Sequence, residues 1–175
     1  MLRNLPELIY PLQLARAGRS LCGRVTLARM HRLQPLLAQM NTCDTEVVLR
    51  FGPDDLGHLA IQGTIQADLN LICQRCLKAV PFRAESKVGL SLISMDDRAN
   101  HPVERVTPCF EPLMVGEDEA LALSDIVEDE LLLVLPMVPM HPEGTCSISE
   151  KYLATNSLQD KRENPFSVLG GLPDF

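Results

Sequence analysis

The stretch Leu71-Ile72-Cys73-Gln74-Arg75-Cys76-Leu77 joins two runs of alternating residues. Before it, Leu59, Ile61, Ile65, Ala67, Leu69 and Leu71 alternate with mostly polar neighbours. After it, Val80, Phe82, Ala84, Val88, Leu90 and Leu92 do the same. Period-two alternation marks strands with one buried face. CxxC spacing suits a metal knuckle, a redox pair or a tight turn. In a thioredoxin-like protein the motif leads into a helix whose N-terminus lowers the first thiol's pKa, whereas here a strand-like run with Pro81 follows. The motif therefore reads as the turn of an antiparallel hairpin, with both thiols at one end of a sheet.

Working outward, Glu46-Val47-Val48-Leu49-Arg50-Phe51 is a further strand, closed by the turn chemistry of Gly52-Pro53-Asp54-Asp55-Leu56-Gly57. The run that follows is one long strand or two with a bulge at Gly63. Ser20 to Leu27 alternates as another strand, and Ile9 to Leu14 reads as a strand or extended arm whose Pro11 requires an edge. Met30 to Gln39 reads as a short helix with Pro35 in its first turn or breaking it. A polar loop with three prolines spans residues 96 to 112. Ser124 stands as an N-cap before an acidic first turn, and Leu123, Val127, Leu131 and Val134 form a helical stripe ending at Pro136. The expected fold class is α+β: a mainly antiparallel sheet over about residues 46 to 94 plus N-terminal strands, with one main helix at about 124 to 135 packed on it. Residues 1–142 would form one domain, 143–163 a polar linker and 164–175 a C-terminal segment in a flexible tail.

The chain of 175 residues, 46% hydrophobic, is long enough for one real core, which would be aliphatic because there are two Tyr, five Phe and no Trp. Its longest apolar run, Leu131 to Leu135, is far short of the roughly 20 residues needed to cross a bilayer, so no membrane partner is expected. The N-terminus lacks a signal-peptide pattern, which places the chain in the cytoplasm and favours thiols or metal ligands over disulfides. The net charge of −7 is uneven. Residues 1 to 40 carry six Arg against Glu7 alone, and residues 111 to 130 carry eight acids and no base. The asymmetry allows a basic face on an acidic protein. The plainer reading, that the two regions pair with each other or are separately solvated, is favoured because charge runs are usually solvated.

No Ser/His/Asp arrangement, Gly-rich phosphate loop or HExxH pattern is present, and no enzyme is expected. Glu128 and Glu130 read as dipole partners on a wet helix face. A metal-dependent nuclease would need them to face each other, but they lie about 200° apart around a helix.

Three segments in order, "CQRC" (73–76), "VEDELLLVLPMVPMH" (127–141) and "NPFSVLGGL" (164–172), resemble the YceD family, the bacterial large-ribosomal-RNA accumulation proteins. The resemblance covers the chain from about residue 45 onward, and the helix-plus-proline segment is its most specific motif. It implies support for the synthesis, processing or stability of 23S ribosomal RNA, hence large-subunit biogenesis, with no established catalytic reaction. It also implies 23S rRNA or its precursor as partner, reached directly or through a large-subunit ribosomal protein or assembly factor. Where relatives tend to finish with a lysine-bearing tail, this chain ends Gly171-Leu172-Pro173-Asp174-Phe175, which removes a basic tail from the RNA argument.

The candidate cofactor is a zinc ion held by Cys73, Cys76, His141 and Cys146, since zinc takes thiolates and imidazole in a closed tetrahedron and both later residues lie just past a helix that must pack on the sheet. The other reading makes Cys73 and Cys76 buried small hydrophobes and His141 a surface group. Cys22, Cys43 and Cys109 lack paired spacing and read as packing residues. Between Asp68 and Glu85 the only charges are Arg75, Lys78 and Arg83, the candidate RNA contacts, which the Arg-rich first forty residues would extend. Aromatic interleaving is missing, so sequence-specific RNA reading is not expected. The alternatives are a protein-docking adaptor without RNA contact and a small structural zinc-binding protein. Asn164, Pro165 and Phe166, with Val168 and Leu169, read as a docking peptide at the end of the polar linker.

Overall fold

Alternation along the strands separates their two faces. Val47, Leu49, Phe51, Ile61 and Ile65 are fully buried while Glu46, Val48 and Arg50 between them are exposed. The structure, a computed structural model, describes residues 3–38, 44–95 and 110–146. Five strands form one sheet in the order β2 (Ser20–Thr26), β3 (Asp44–Pro53), β4 (Leu59–Ile72), β5 (Ala79–Ser94) and β6 (Glu111–Val115). The first three pairings are antiparallel and β5–β6 is parallel. A small second sheet pairs β1 (Leu8–Ile9) with β7 (Leu121–Ala122). Helix α1 (Pro11–Arg16) and helix α2 (Leu123–Val134) complete the set, and the architecture is α+β as expected.

The two long strands dominate. β4 pairs with β5 without interruption from Ala60↔Ser91 to Ile72↔Ala79, so Gly63 is not a bulge. It is glycine for another reason: a Cβ there would stand 2.0 Å from the Val48 carbonyl oxygen. At Gly23 of β2 a Cβ would meet the Arg3 carbonyl oxygen at 2.2 Å, because the N-terminal segment runs alongside β2 and bonds to it through Arg24 N–H to Arg3 and Leu5 N–H to Arg24.

Three N-terminal expectations are corrected. Ile9 to Leu14 is not one extended segment; after two residues of β1 the chain turns into α1, with Pro11 in the first helical turn, where its missing N–H costs nothing. Over the described part of the expected helix, Met30 to Ala38, there is no α-helix. Pro35 limits it to one 3-10 turn, Gln34–Leu36, preceded by another at Leu27–Arg29. Leu27, Met30 and Leu33 are nonetheless buried anchors. The chain then bridges Leu37 to Leu71 and donates Ala38 N–H to the Asn70 carbonyl, covering the part of β4 that extends past β3.

On α2, Leu123, Ile126, Val127 and Leu131 form the buried stripe. Ser124 is not its N-cap. Ala122 holds that position without a side-chain bond, because the first helical N–H, on Leu123, is taken by the Glu7 carbonyl next to β1. Glu128 and Glu130 are not on a wet face: they are 3% and 8% exposed. Glu128 accepts the backbone N–H groups of Arg32 (2.6 Å) and Leu33 (3.0 Å) and the Arg32 Nε–H (3.1 Å), while Glu130 accepts the Ser86 hydroxyl at 2.7 Å. The residues taken as a loop to 112 end instead in β6, whose parallel pairing depends on the long connection before it.

The charge asymmetry resolves into ion pairs. Arg16 pairs with Glu117, Arg32 with Glu128 and Asp129, Arg24 with Glu46, and Arg29 with Glu7. The Arg16 guanidinium holds the Glu117 carboxyl below its usual pKa. Two of these pairings join the basic N-terminal region to the acidic 111–130 region. Among the described residues no helix is long and apolar enough to cross a membrane.

The chain divides into two compact units, Met1–His141 and Pro142–Phe175. The described start of the second is a turn in which Gly144 has φ +77° and Thr145 donates its N–H and hydroxyl to the Pro142 carbonyl. The linker from 147 on, the Asn164-Pro165-Phe166 segment, Cys43 and Cys109 lie outside the described residues. Cys22 is exposed rather than packed, since β2 turns it to the open face opposite Val48.

Candidate metal centre

Six residues, Cys73 to Lys78, connect β4 to β5. The Cys73 N–H bonds to the Lys78 carbonyl (2.9 Å) and the Leu77 N–H to the Cys73 carbonyl (2.8 Å), folding the chain back within one turn. This geometry puts Leu77 at φ +57°, the only positive φ at a non-glycine residue among the described residues. A side chain there costs about 1–2 kcal/mol, against about 0.5–1 kcal/mol for the extra freedom glycine loses on folding. Leu77 is 77% exposed, so its side chain returns little by burial. Leu77→Gly should therefore raise the unfolding free energy by about 0.5–1 kcal/mol. Urea denaturation would show it, and a clear loss of stability would contradict this account of the turn.

Inside the turn Cys73 is fully buried and Cys76 half-buried. Burial pushes the Cys73 thiol up, but the backbone N–H groups of His141, Cys76 and Arg75 bond to the sulfur and hold its pKa down to about 5. His141 arrives from the segment after α2, docked by Gln74 N–H to the Pro139 carbonyl (2.9 Å) and by the Gln74 side-chain amide to the Met137 carbonyl (3.4 Å). Its Nε2 lies 2.9 Å from the Ala79 carbonyl oxygen, which can only accept, so Nε2 carries the proton. In the neutral ring Nδ1 then presents its lone pair, 3.4 Å from Cys76 Sγ.

The donor atoms of Cys73, Cys76 and His141 lie within 4.8 Å of one another, a group that could hold a metal. Three of the residues that the sequence singles out are thus neighbours within the first unit. The Ala79 carbonyl, which orients His141, left no trace in the sequence because any residue supplies one. Of the candidate RNA contacts, Arg75 and Lys78 are exposed in the turn, and Arg75 reaches Met140 Sδ at 3.8 Å. Arg83 lies along β5, across from Asp68, at a cavity of about 350 Å³ also lined by Arg24, Asp44, Glu46 and Gln66. It is set among acids rather than with the cations of the turn. Leu77, Met137, Val138 and Met140 are exposed around them.

Residues 61–173 match the family model for the large ribosomal RNA subunit accumulation protein YceD. A protein of that name from Haemophilus influenzae is 30% identical over 172 residues, 97% of this chain and 96% of its own length. No solved structure matches the chain. With residues 61–173 matching the family model and 30% identity to that relative across 97% of its length, the chain belongs to the YceD family.

Proposed function

We propose that the chain is a non-enzymatic cytoplasmic factor that supports the accumulation of 23S ribosomal RNA, acting in its synthesis, processing or stability during large-subunit biogenesis. The observation that carries this reading is the end-to-end match to a protein named for large ribosomal RNA subunit accumulation. The working surface in this reading is the end of the sheet at the β4–β5 turn, where Arg75 and Lys78 offer two exposed cations for RNA phosphates. Arg83 plays a lesser part because acids surround it.

Deleting the gene should lower mature 23S relative to 16S RNA, or raise 23S precursors, most clearly when assembly is slow, as in the cold. Unchanged ratios and unchanged subunit profiles in the cold would overturn the reading. The exposed apolar group Leu77, Met137, Val138 and Met140 favours a second one, in which the same end docks a ribosomal protein or assembly factor. Binding to purified 23S fragments that weakens steeply with salt supports direct RNA contact. Co-purification of a protein partner that survives nuclease supports the adaptor.

A further inference from the structure

We propose that the outer edge of β5 pairs with the same edge of a second copy of this chain, joining two five-stranded sheets into one. In an antiparallel ladder, opposite residues alternate between pairs that exchange both backbone bonds and pairs whose N–H and C=O groups point away from each other. Three observations fix that phase along β5. The Cys73 N–H bonds to the Lys78 carbonyl, one step beyond the Ile72↔Ala79 pair, so Ala79 and every second residue after it direct their backbone groups away from β4. Pro81, which has no N–H to give, stands at one of those positions. Asn70, its partner on β4, gives its carbonyl to the Ala38 N–H on the side away from β5. The outward groups are therefore those of Pro81, Arg83, Glu85, Lys87 and Gly89.

Among the described residues no strand meets them. The Ala79 carbonyl is taken by His141, and β6 enters only at Leu90. Between those points β5 is extended and free of bulges. The opposite edge of the sheet, on β2, is covered by the N-terminal segment through Arg3 and Leu5. An edge left this long is a template for another strand.

The side chains select the occupant. Arg83, Glu85 and Lys87 are exposed with charges that alternate in sign, and among the described residues none of them is in a salt bridge. About a two-fold axis at Ala84, an antiparallel second copy sets Arg83 opposite Glu85 on both sides of the axis, and Lys87 opposite Pro81. These are the positions whose backbone groups face outward. Each Arg83–Glu85 pair then exchanges two N–H···O bonds, and each Lys87 N–H meets a Pro81 carbonyl. On the other face Val80 meets Val88, and half-buried Phe82 gains cover across from Ser86. Moving the axis to Glu85 would set Glu85 against Glu85 and Arg83 against Lys87, which like-charge repulsion disfavours. A seam confined to residues 81–87 is small, in the class under about 1,200 Å², so the dimer should form reversibly and depend on concentration.

The test is sedimentation equilibrium of the full chain under reducing conditions across about 1 to 200 µM, a range that spans weak self-association. A monomer–dimer equilibrium is expected. Glu85→Arg turns both charge pairs into like-charge pairs and should raise the dimer Kd by about tenfold or more. Its position is exposed and faces neutral Gln66 on β4, so the melting temperature of the dilute chain should not change. Adding Arg83→Glu to it restores opposite charges and should restore wild-type association. In the wild-type chain, the amides of Arg83, Glu85 and Lys87 should exchange with solvent rapidly when dilute and slowly when concentrated. Those of Val80, Phe82 and Ala84, bonded to β4, should stay slow at both, and this readout needs no variant. A chain that is monomeric throughout the range overturns the proposal. So does a dimer that leaves the three outward amides in fast exchange, or one that Glu85→Arg does not weaken. A double variant no tighter than Glu85→Arg alone overturns the Arg83–Glu85 pairing.

Discussion

Replacing Glu128 with Ala is expected to lower the unfolding free energy by about 3 kcal/mol, within the range seen when one partner of a buried ionic group is removed. The carboxylate is 3% exposed and takes both backbone N–H groups at Arg32 and Leu33, so it fastens the segment between β2 and β3 to α2. Its loss leaves the Leu33 N–H without an acceptor and Arg32 with Asp129 alone. Glu128→Gln keeps an oxygen for the two N–H groups and should cost about half as much. Asp129→Ala should cost under about 1 kcal/mol, because that ion pair is exposed on both sides. Equilibrium urea denaturation ranks the three. Equal and small effects would mean that the carboxylate is not the fastening.

The second large effect is expected at Gly63. An alanine Cβ would come within 2.0 Å of the Val48 carbonyl oxygen and 3.0 Å of Leu49 Cα, and neither atom belongs to a side chain that can rotate away. The β3–β4 ladder would have to open locally, at a cost of about 3 kcal/mol or more. For a chain of this size that corresponds to a fall of about 6–12 °C in the melting temperature. Gly52, in the same ladder with nothing within 4 Å of its Cβ position, is the control. Gly52→Ala should leave the melting temperature nearly unchanged. Equal effects at the two glycines would refute the close approach.

What the sequence showed clearly was period two. Strands β2 to β5 announce themselves by alternation, and the cysteines between β4 and β5 could be placed in a turn because a strand follows them. The helical stripe of α2 was equally plain. Less legible was whatever depends on partners far along the chain. Glu128 looked like a solvated acid because its acceptor role is fixed by backbone groups 96 residues earlier. Its position flanking the buried stripe was the one available hint. The Ser124 cap failed for a related reason, since a carbonyl from Glu7 had already met the need. β6 was hidden because parallel pairing imposes no short-range turn signal. Cys73, Cys76 and His141 were legible as candidate ligand types, while the oriented histidine and the positive φ of the turn were visible only in three dimensions.

We propose that the end of the sheet carrying the CxxC turn is the working part of a factor that sustains 23S ribosomal RNA. The most direct measurement is the ratio of mature 23S to 16S RNA, in the cold, in deletion cells carrying the chain with Arg75→Glu and Lys78→Glu together. Both residues are exposed, so the variant should keep its wild-type melting temperature and level in the cell. The ratio is predicted to stay at the value of the deletion strain while the wild-type chain restores it. Full restoration by the doubly reversed chain would contradict the claim.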